Sequence, residues 1–508
     1  MRGPPMSSAV SDAGAPKTLA GGQLAVAALL LAAANFLVVL DTTIANVSVP
    51  NIAGGLAVSS SQGTFVITSY SVAEAVTVPL TGWLAGRFGT VRTFVIAMLG
   101  FGMCSALCGF AQSLGMLVLF RVLQGLAGGP LMPLSQTLLL RVFPKEKAPA
   151  AMGIWAMTTL VAPILGPILG GTLCDSWGWP FIFYINVPIA ILCAAACWGL
   201  LKVFETPTVR PRFDLVGLIL LIVWVGALQI MLDEGKDMDW FSSTEIVALA
   251  IVAAIGLAAF LIWELTEAYP VVDLKVFRHR GFAMAVLTIS LGFGAFFGAT
   301  VLTPLWLQSN MGYTATWAGY ATAATGILAV MAAPMVAKMS AKVDPRPLVF
   351  FGLMWLAGVT LYRSGSSTDM TYGQIAFPLL LQGLGMPFFF VPLTGLALAS
   401  VTVAETASAA GLMNFLRTLS GAFATSLVNT LWEDGATRNR AELVDLLRPG
   451  LVGPNLSIQQ LDRIVQGQGV MLATNQIFLG VAIAFVLSAL VIWLAPKPTR
   501  VADTTGVH

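Results

Sequence analysis

Apolar residues gather in runs of about twenty along this chain, and short polar segments separate them. The runs lie near 24–45, 63–82, 93–111, 114–137, 150–172, 181–201, 214–232, 244–264, 283–307, 317–337, 347–363, 373–397, 409–432 and 472–495. Each has the length of one membrane-spanning helix, about 20 residues. The pattern therefore predicts an all-α polytopic membrane protein with fourteen spans. The second run is the most polar, because it holds Glu74 and several hydroxyls. An even number of spans places both termini on one side.

Composition supports the same solvent. Of 508 residues, 57% are hydrophobic and 10% are charged, and the mean hydropathy is +0.85. A soluble globular protein carries about 25% charged residues, and a disordered chain needs high charge with few apolar residues. The net charge of +2 leaves no basic domain for nucleic acid. The placement of basic residues is more informative than their number. With both termini in the cytoplasm, 18 of the 26 Lys and Arg fall in cytoplasmic segments, 6 on the other side (Arg363 among them) and 2, Arg121 and Arg417, inside spans. That bias follows the positive-inside rule, and removing one span would invert every later loop. The five cysteines sit in or beside apolar runs without metal-site spacing and read as small hydrophobes. Residues 1–22 are polar and rich in Pro and Gly, with no short apolar core and cleavage site, so they read as a cytoplasmic tail and not a cleaved signal.

Transporters are often built from duplicated halves. The stretch VPLTGWLAGRFGTVR places Pro79 eight residues before Arg87, and APMVAKMSAKVDPRP places Pro334 eight residues before Lys342. Aligning these two span ends pairs spans 1–6 with spans 9–14, so the expected architecture is 6 + 2 + 6. The expected units are a six-helix bundle over 23–201, a linker with two inserted helices over 202–282, and a second six-helix bundle over 283–495. A long external loop covers 433–471, in which ATRNRAELVDLLRPG could form a short amphipathic helix, either a solvated cap or a docking surface. Residues 496–508 form a cytoplasmic tail.

No enzyme signature is present. His279 and His508 lie in a loop and at the terminus, and there is neither a phosphate-binding GxxxxGK[ST] loop nor a GxSxG elbow. No cofactor or metal is expected. The ionisable residues inside spans remain, and each costs roughly 2.5–3.5 kcal/mol at a helix centre on insertion scales. They are Asp41 at the end of span 1, Glu74 in span 2, Arg121 in span 4 and Arg417 in span 13. Desolvation favours the neutral form of a buried acid, and a nearby guanidinium favours the charged form. An acid whose surroundings alternate between these states can carry a proton. Asp41 and Arg121 are the leading pair. The other roles open to them are capping a helix break before Thr42 for Asp41, and satisfying helix-end carbonyls or waters for Arg121. Glu74 could bind a cationic solute, carry a proton or face a neighbour as a neutral acid. Arg417 reads as structural, yet it also belongs with Gln124, Asn46, Phe388, Phe389 and Asn414 among candidates for lining a substrate cavity. Span 5 holds Pro163, Gly166, Pro167, Gly170 and Gly171, which favour a bend or a sliding contact.

These motifs resemble the major facilitator superfamily and, within it, the fourteen-helix drug:proton antiporters of the EmrB type, over about residues 24–495. LDTTIANVSVP (40–50) looks like the family's first-span motif. GWLAGRFGTVR (82–92) is similar to the loop motif that gates the cytoplasmic side through Gly82, Arg87, Gly89 and Arg92, although Gly86 stands where an acid is usual. RVLQG (121–125) is similar to the span-4 motif that implies proton coupling. APILGPILGG (162–171) is similar to the exporters' antiporter motif, with Ala162 for the usual first glycine. FIFYINVP (181–188), LDEGKDMDWF (232–241) and PVVDLKVFRHRGF (270–282) extend the likeness, with Pro180 where an Arg is usual. The resemblance implies a major facilitator fold with two pseudo-symmetric bundles around a central cavity. It implies export of amphipathic, lipophilic toxic compounds across a bacterial inner membrane, driven by proton influx. It also implies a membrane-fusion adaptor and an outer-membrane channel as partners in a tripartite pump. A dedicated exporter of one physiological solute and, more remotely, a non-transporting scaffold are the other readings.

Overall fold

The computed structural model describes residues 19, 21–58, 60–63, 65–144, 148–209, 214–340, 342–446 and 457–497, and among these no strand occurs. Helix is the expected solution where no water is present to satisfy backbone N–H and C=O groups. The helices in chain order are α1 (Gly22–Gly55), α2 (Ser60–Gly63), α3 (Phe65–Thr77), α4 (Thr81–Phe88), α5 (Thr90–Gly109), α6 (Leu114–Gly128), α7 (Leu131–Val142), α8 (Ala148–Trp177), α9 (Phe181–Tyr184), α10 (Asn186–Leu201), α11 (Leu215–Glu234), α12 (Thr244–Thr266), α13 (Arg280–Ser309), α14 (Ala315–Ser340), α15 (Pro345–Arg363), α16 (Tyr372–Ala399), α17 (Thr406–Leu446) and α18 (Ile458–Val491). Ten helical stretches among the described residues are long and apolar enough to cross a membrane.

Proline explains the breaks inside predicted spans. Pro79 separates α3 from α4, and Pro130 separates α6 from α7; each lacks the N–H that would continue the ladder. The segment expected as a long connection over 433–471 is helical over most of its described residues. α17 runs for 41 residues, about 60 Å at 1.5 Å per residue, and α18 begins at Ile458. The segment expected as a separate short helix is continuous with α17 up to Leu446, and residues 447–450 lie outside the described residues. Outside the apolar stretch, the two helices form an antiparallel hairpin. Arg440 Nη2 donates to Asp462 Oδ1 at 2.6 Å, and Asn439 Nδ2 donates to the Gly469 carbonyl at 3.3 Å.

Packing groups the helices. α1 lies against α7, α8 and α10, α3 against α6, and α5 against α6 and α10. Later in the chain, α13 lies against α17 and α18, α14 against α16, and α15 against α16 and α18. The two groups meet where α8 packs on α14 and α16, and where α4 and α7 pack on α17. The α11–α12 hairpin reaches both groups, since α11 touches α3 and α17. Trp224 of α11 stands edge-on to Phe415 of α17, ring centroids 5.9 Å apart.

Candidate functional site

Asp41 does not end its helix. α1 continues through it to Gly55, so the idea that Asp41 caps a break before Thr42 is corrected. The hydroxyls that follow satisfy themselves by bonding backwards to carbonyls of the same helix. Thr42 Oγ1 donates to the Val38 carbonyl at 3.1 Å, and Thr43 Oγ1 to that of Val39 at 3.0 Å. The carboxylate therefore sits mid-helix and 2% exposed.

Four other helices converge on it. Arg121 Nη1, from α6, donates to Asp41 Oδ2 at 2.6 Å, and both side chains are sealed from solvent. On Oδ1, Gln124 Nε2 donates at 3.1 Å and Asn186 Nδ2, at the start of α10, at 2.7 Å. Arg121 is itself held by the Val66 carbonyl of α3 at 3.0 Å and by Gln124 Oε1 at 2.8 Å. Its guanidinium carbon lies 4.1 Å from the Tyr70 ring centroid. Asn186 also donates to Ser105 Oγ of α5 at 3.1 Å. A charge-assisted pair with this many hydrogen bonds fixes both ions in a water-poor site. Gln124, expected on the cavity wall, belongs to this network. Asn186, Tyr70 and Ser105 escaped sequence reasoning; the only signal was the lone amide within FIFYINVP.

Glu74 stands apart from that network. It is 9% exposed on α3, and among the described residues it forms no ion pair. Glycines let its helix approach α6 closely: a Cβ on Gly125 would lie 2.5 Å from the Tyr70 carbonyl oxygen, and one on Gly129 3.0 Å from that of Glu74.

The Gly/Pro segment packs beside Asp41. α8 is continuous through Pro163 and Pro167; the side chains of these two prolines lie outside the described residues. A Cβ on Gly166 would lie 2.6 Å from Thr43 Cβ, and one on Gly170 3.3 Å from the Ile44 carbonyl oxygen, while Gly171 faces open space. Asn35 of α1 adds a polar clasp to α8, donating to Thr158 Oγ1 at 2.7 Å and Thr159 Oγ1 at 2.8 Å.

The segment 82–92 lies where α4 meets α17. A Cβ on Gly82 would collide with Ser408. Gly89 has φ +92°, a conformation suited to glycine, and the Glu205 carboxylate fills the space beside it. Glu205 accepts from the backbone N–H of Val91 at 3.0 Å and of Arg92 at 2.9 Å, capping α5. A Cβ on Gly86 would meet open space, and the Gly86 carbonyl accepts from Val209 N at 2.9 Å. Arg87 and Arg92 line one surface hollow with Phe88, Ile96 and Thr208. An acid distant in sequence, Glu205, thus contacts this segment, while position 86 carries none.

The remaining cavity candidates divide. Asn46 is exposed on α1. Phe388 packs on Phe351, and Phe389 on Gly292 and Phe390, both inside the later helix group. Asn414 and Arg417 instead face the earlier group: Asn414 Nδ2 donates to Gln136 Oε1 of α7 at 2.6 Å, and Arg417 Nη2 lies 3.3 Å from Met132 Sδ. Arg363, expected in an external loop, is 5% exposed at the end of α15. It donates to Gln382 Oε1 at 2.9 Å and Thr303 Oγ1 at 2.6 Å, beneath Phe478. Glu264 is also buried, and its Oε2 accepts from Val272 N at 3.2 Å.

Residues 31–425 match the family model of the Major Facilitator Superfamily. The chain is 44% identical to the fatty acid resistance protein FarB of Neisseria gonorrhoeae, covering 94% of this chain and 97% of that protein. It is 42% identical to the multidrug export protein EmrB of Escherichia coli K12, covering 95% and 97%. Among solved structures, the human organic anion transporter MFSD10 superposes with a TM-score of 0.59 at 13% identity, covering 93% of this chain and 100% of that one. At that identity the likeness shows the fold alone.

Proposed function

The chain belongs to the major facilitator superfamily, and on that premise we propose that it is a proton-driven exporter of amphipathic drugs and toxic compounds working by alternating access. The observation that carries this reading is the buried Asp41–Arg121 pair, braced by Gln124 and Asn186. Two sealed charges at the middle of a spanning helix are costly, and a carboxylate that exchanges its proton when the surrounding helices part is a means of coupling. Glu74, buried and without an ion pair among the described residues, is a second proton carrier. The glycines of α8 permit the sliding against α1 that would open this site, and the segment 82–92 forms the gate where α4 meets α17.

The proposed membrane arrangement is fourteen spans as 6 + 2 + 6, with units at 23–201, 202–282 and 283–495 and both termini in the cytoplasm of a bacterial inner membrane. The proton gradient supplies the energy, and no cofactor takes part. A membrane-fusion adaptor and an outer-membrane channel complete the pump. Support for drug export comes from a relative named for multidrug export at 42% identity and one named as a probable multidrug resistance protein at 40%. A second reading, a dedicated exporter of one solute, is favoured by the similarity to a fatty acid resistance protein.

The test is a proteoliposome assay with an imposed pH gradient and a panel of lipophilic compounds. Wild-type protein should move several of them uphill, and Asp41→Asn should move none while remaining folded. Uphill export by Asp41→Asn would sink the coupling assignment, and movement of a single compound class would favour the dedicated exporter.

A further inference from the structure

The end of the α11–α12 hairpin that leads into α13 buries two acids against each other. Asp214, 8% exposed, immediately precedes α11, and Glu264, 1% exposed, lies in the last turn of α12. Gly217 makes room for both. A Cβ there would collide with Asp214 Oδ2 and would lie 2.5 Å from Glu264 Oε1. The two oxygens thus converge on one point and lie within about 5 Å of each other, where charges act strongly on one another.

The two carboxyls are served unequally. Asp214 Oδ1 accepts from Gly217 N at 2.8 Å and from Trp263 Nε1 at 3.0 Å, and its Oδ2 lies 3.1 Å from the same indole nitrogen. It also caps the start of α11, where the helix dipole favours a negative charge. Glu264 Oε2 accepts only from Val272 N at 3.2 Å, and its Oε1 is buried without a partner. A buried polar atom left unpartnered is rare in folded proteins and calls for an explanation.

The charged groups around Glu264 do not compensate it. Glu267 and Asp273, which act on it electrostatically, are also acids. In the same connection, Arg278 and His279 turn to Glu405, and Lys275 is exposed. No basic group among the described residues forms an ion pair with Asp214 or Glu264; Arg210 and Arg212 lie outside the described residues.

We propose that Glu264 and Asp214 share one proton, held on Glu264 Oε1 and donated to Asp214 Oδ2, and that this proton latches the α11–α12 hairpin to the connection entering α13. A protonated carboxyl carries one O–H donor, so the orphan oxygen gains its partner. One negative charge remains, on the carboxyl that the backbone N–H, the indole and the helix start already serve. Loss of the proton to water leaves two like charges converging over Gly217 with no donor between them, and it weakens the hold of Glu264 on Val272 N. The latch therefore holds at low pH and opens as pH rises. On the proposed membrane arrangement this end of the hairpin faces the cytoplasm, so the latch reads cytoplasmic pH, apart from the Asp41 network.

The experiment follows hydrogen–deuterium exchange of the segment containing Val272 in purified full-length protein at pH 6 and pH 9, with rates corrected for the intrinsic effect of pH. Local opening sets such rates. Wild-type protection should fall severalfold at pH 9. Glu264→Gln, whose neutral amide can donate to Asp214 at any pH, should keep its protection at both. Asp214→Asn retains a capping side chain and offers ionised Glu264 an amide donor, so its fall should shrink. Should Glu264→Gln fail to fold by size exclusion, Asp214→Asn decides alone. Infrared difference spectra of wild type against the folded variants should show a carboxylic-acid C=O band at pH 6 that is lost at pH 9. Equal protection of the wild type at both pH values, an unchanged fall in the folded variants, or no acid band at pH 6 would overturn the proposal. Neither readout involves transport, so the export reading stands or falls separately.

Discussion

The two halves of this molecule bury guanidinium groups in different ways. In the earlier half, Arg121 faces the carboxylate of Asp41 at 2.6 Å, and neutral groups surround both ions. In the later half, Arg363 and Arg417 are equally sealed, yet their contacts are an amide, a hydroxyl, a thioether and aromatic faces. The first arrangement pairs one positive with one negative charge. The second holds positive charge with no ion-pair partner among the described residues. A buried ion is stable only when paired or richly hydrogen-bonded, so the earlier half meets that need with an opposite charge and the later half with an amide, a hydroxyl and aromatic faces.

The largest expected effect comes from breaking the complete pair. Asp41→Leu leaves Arg121 buried and uncompensated, and should destabilise the protein by about 3–5 kcal/mol, read as earlier thermal unfolding in detergent. Wild-type unfolding by this variant would show that the pair is not what holds Arg121. Next comes the packing beside it. Gly166→Leu forces side-chain atoms into Thr43, where even a Cβ would lie 2.6 Å from the Thr43 Cβ, and should cost about 1–3 kcal/mol as overpacking does, with loss of transport; full transport at wild-type stability would remove the sliding-contact idea. The later half should respond less. Arg363→Met loses hydrogen bonds to Gln382 and Thr303 but also removes an unpaired buried charge, so its unfolding should shift by less than about 2 kcal/mol. A loss as large as that of Asp41→Leu would erase the contrast between the halves.

The smallest effect is a pH response at a surface clasp. Glu405 accepts from Thr402 Oγ1 at 2.7 Å and from Arg278 Nη2 at 2.6 Å, and lies 3.0 Å from His279 Nε2. The Thr402 hydroxyl and these neighbours hold its carboxyl below the ordinary value of 4.5. A group lowered in the folded state stabilises it above that ordinary value, and the contribution fades as pH falls through the lowered one. Unfolding followed from pH 7 to pH 3 should show an acid limb worth less than about 1 kcal/mol that Glu405→Gln removes. An identical limb in the variant would assign it to other acids.

Much of this was legible in the sequence, and the misses have physical causes. Asp41 and Arg121 stood out because a charge within an apolar run is costly wherever it points. Asn186, Asn35 and Gln136 did not, because a lone amide in a helix carries no sign of whether it faces lipid, packing or a carboxylate. Arg363 was assigned to a loop because it ends an apolar run, and only the α15–α16–α18 packing shows that the chain end turns it inward. The hairpin of α17 and α18 was read as a loop with at most one short amphipathic helix because its residues are polar, although polar residues form helix well when helix packs against helix.

The sequence by itself determined the solvent and the positions of the costly charges, because both follow from local composition at a fixed 1.5 Å rise per residue, while its motifs carried the resemblance to the family. Tertiary structure alone decided which polar groups join beyond the expected Asp41–Arg121 pair. Asn186 and Asp41 are 145 residues apart, and Gln136 and Asn414 are 278 apart. Pairing across such distances depends on which helix faces turn towards each other. Glycines such as Gly125 and Gly166 set that by the closeness of approach they permit, and no pattern along a single helix records it.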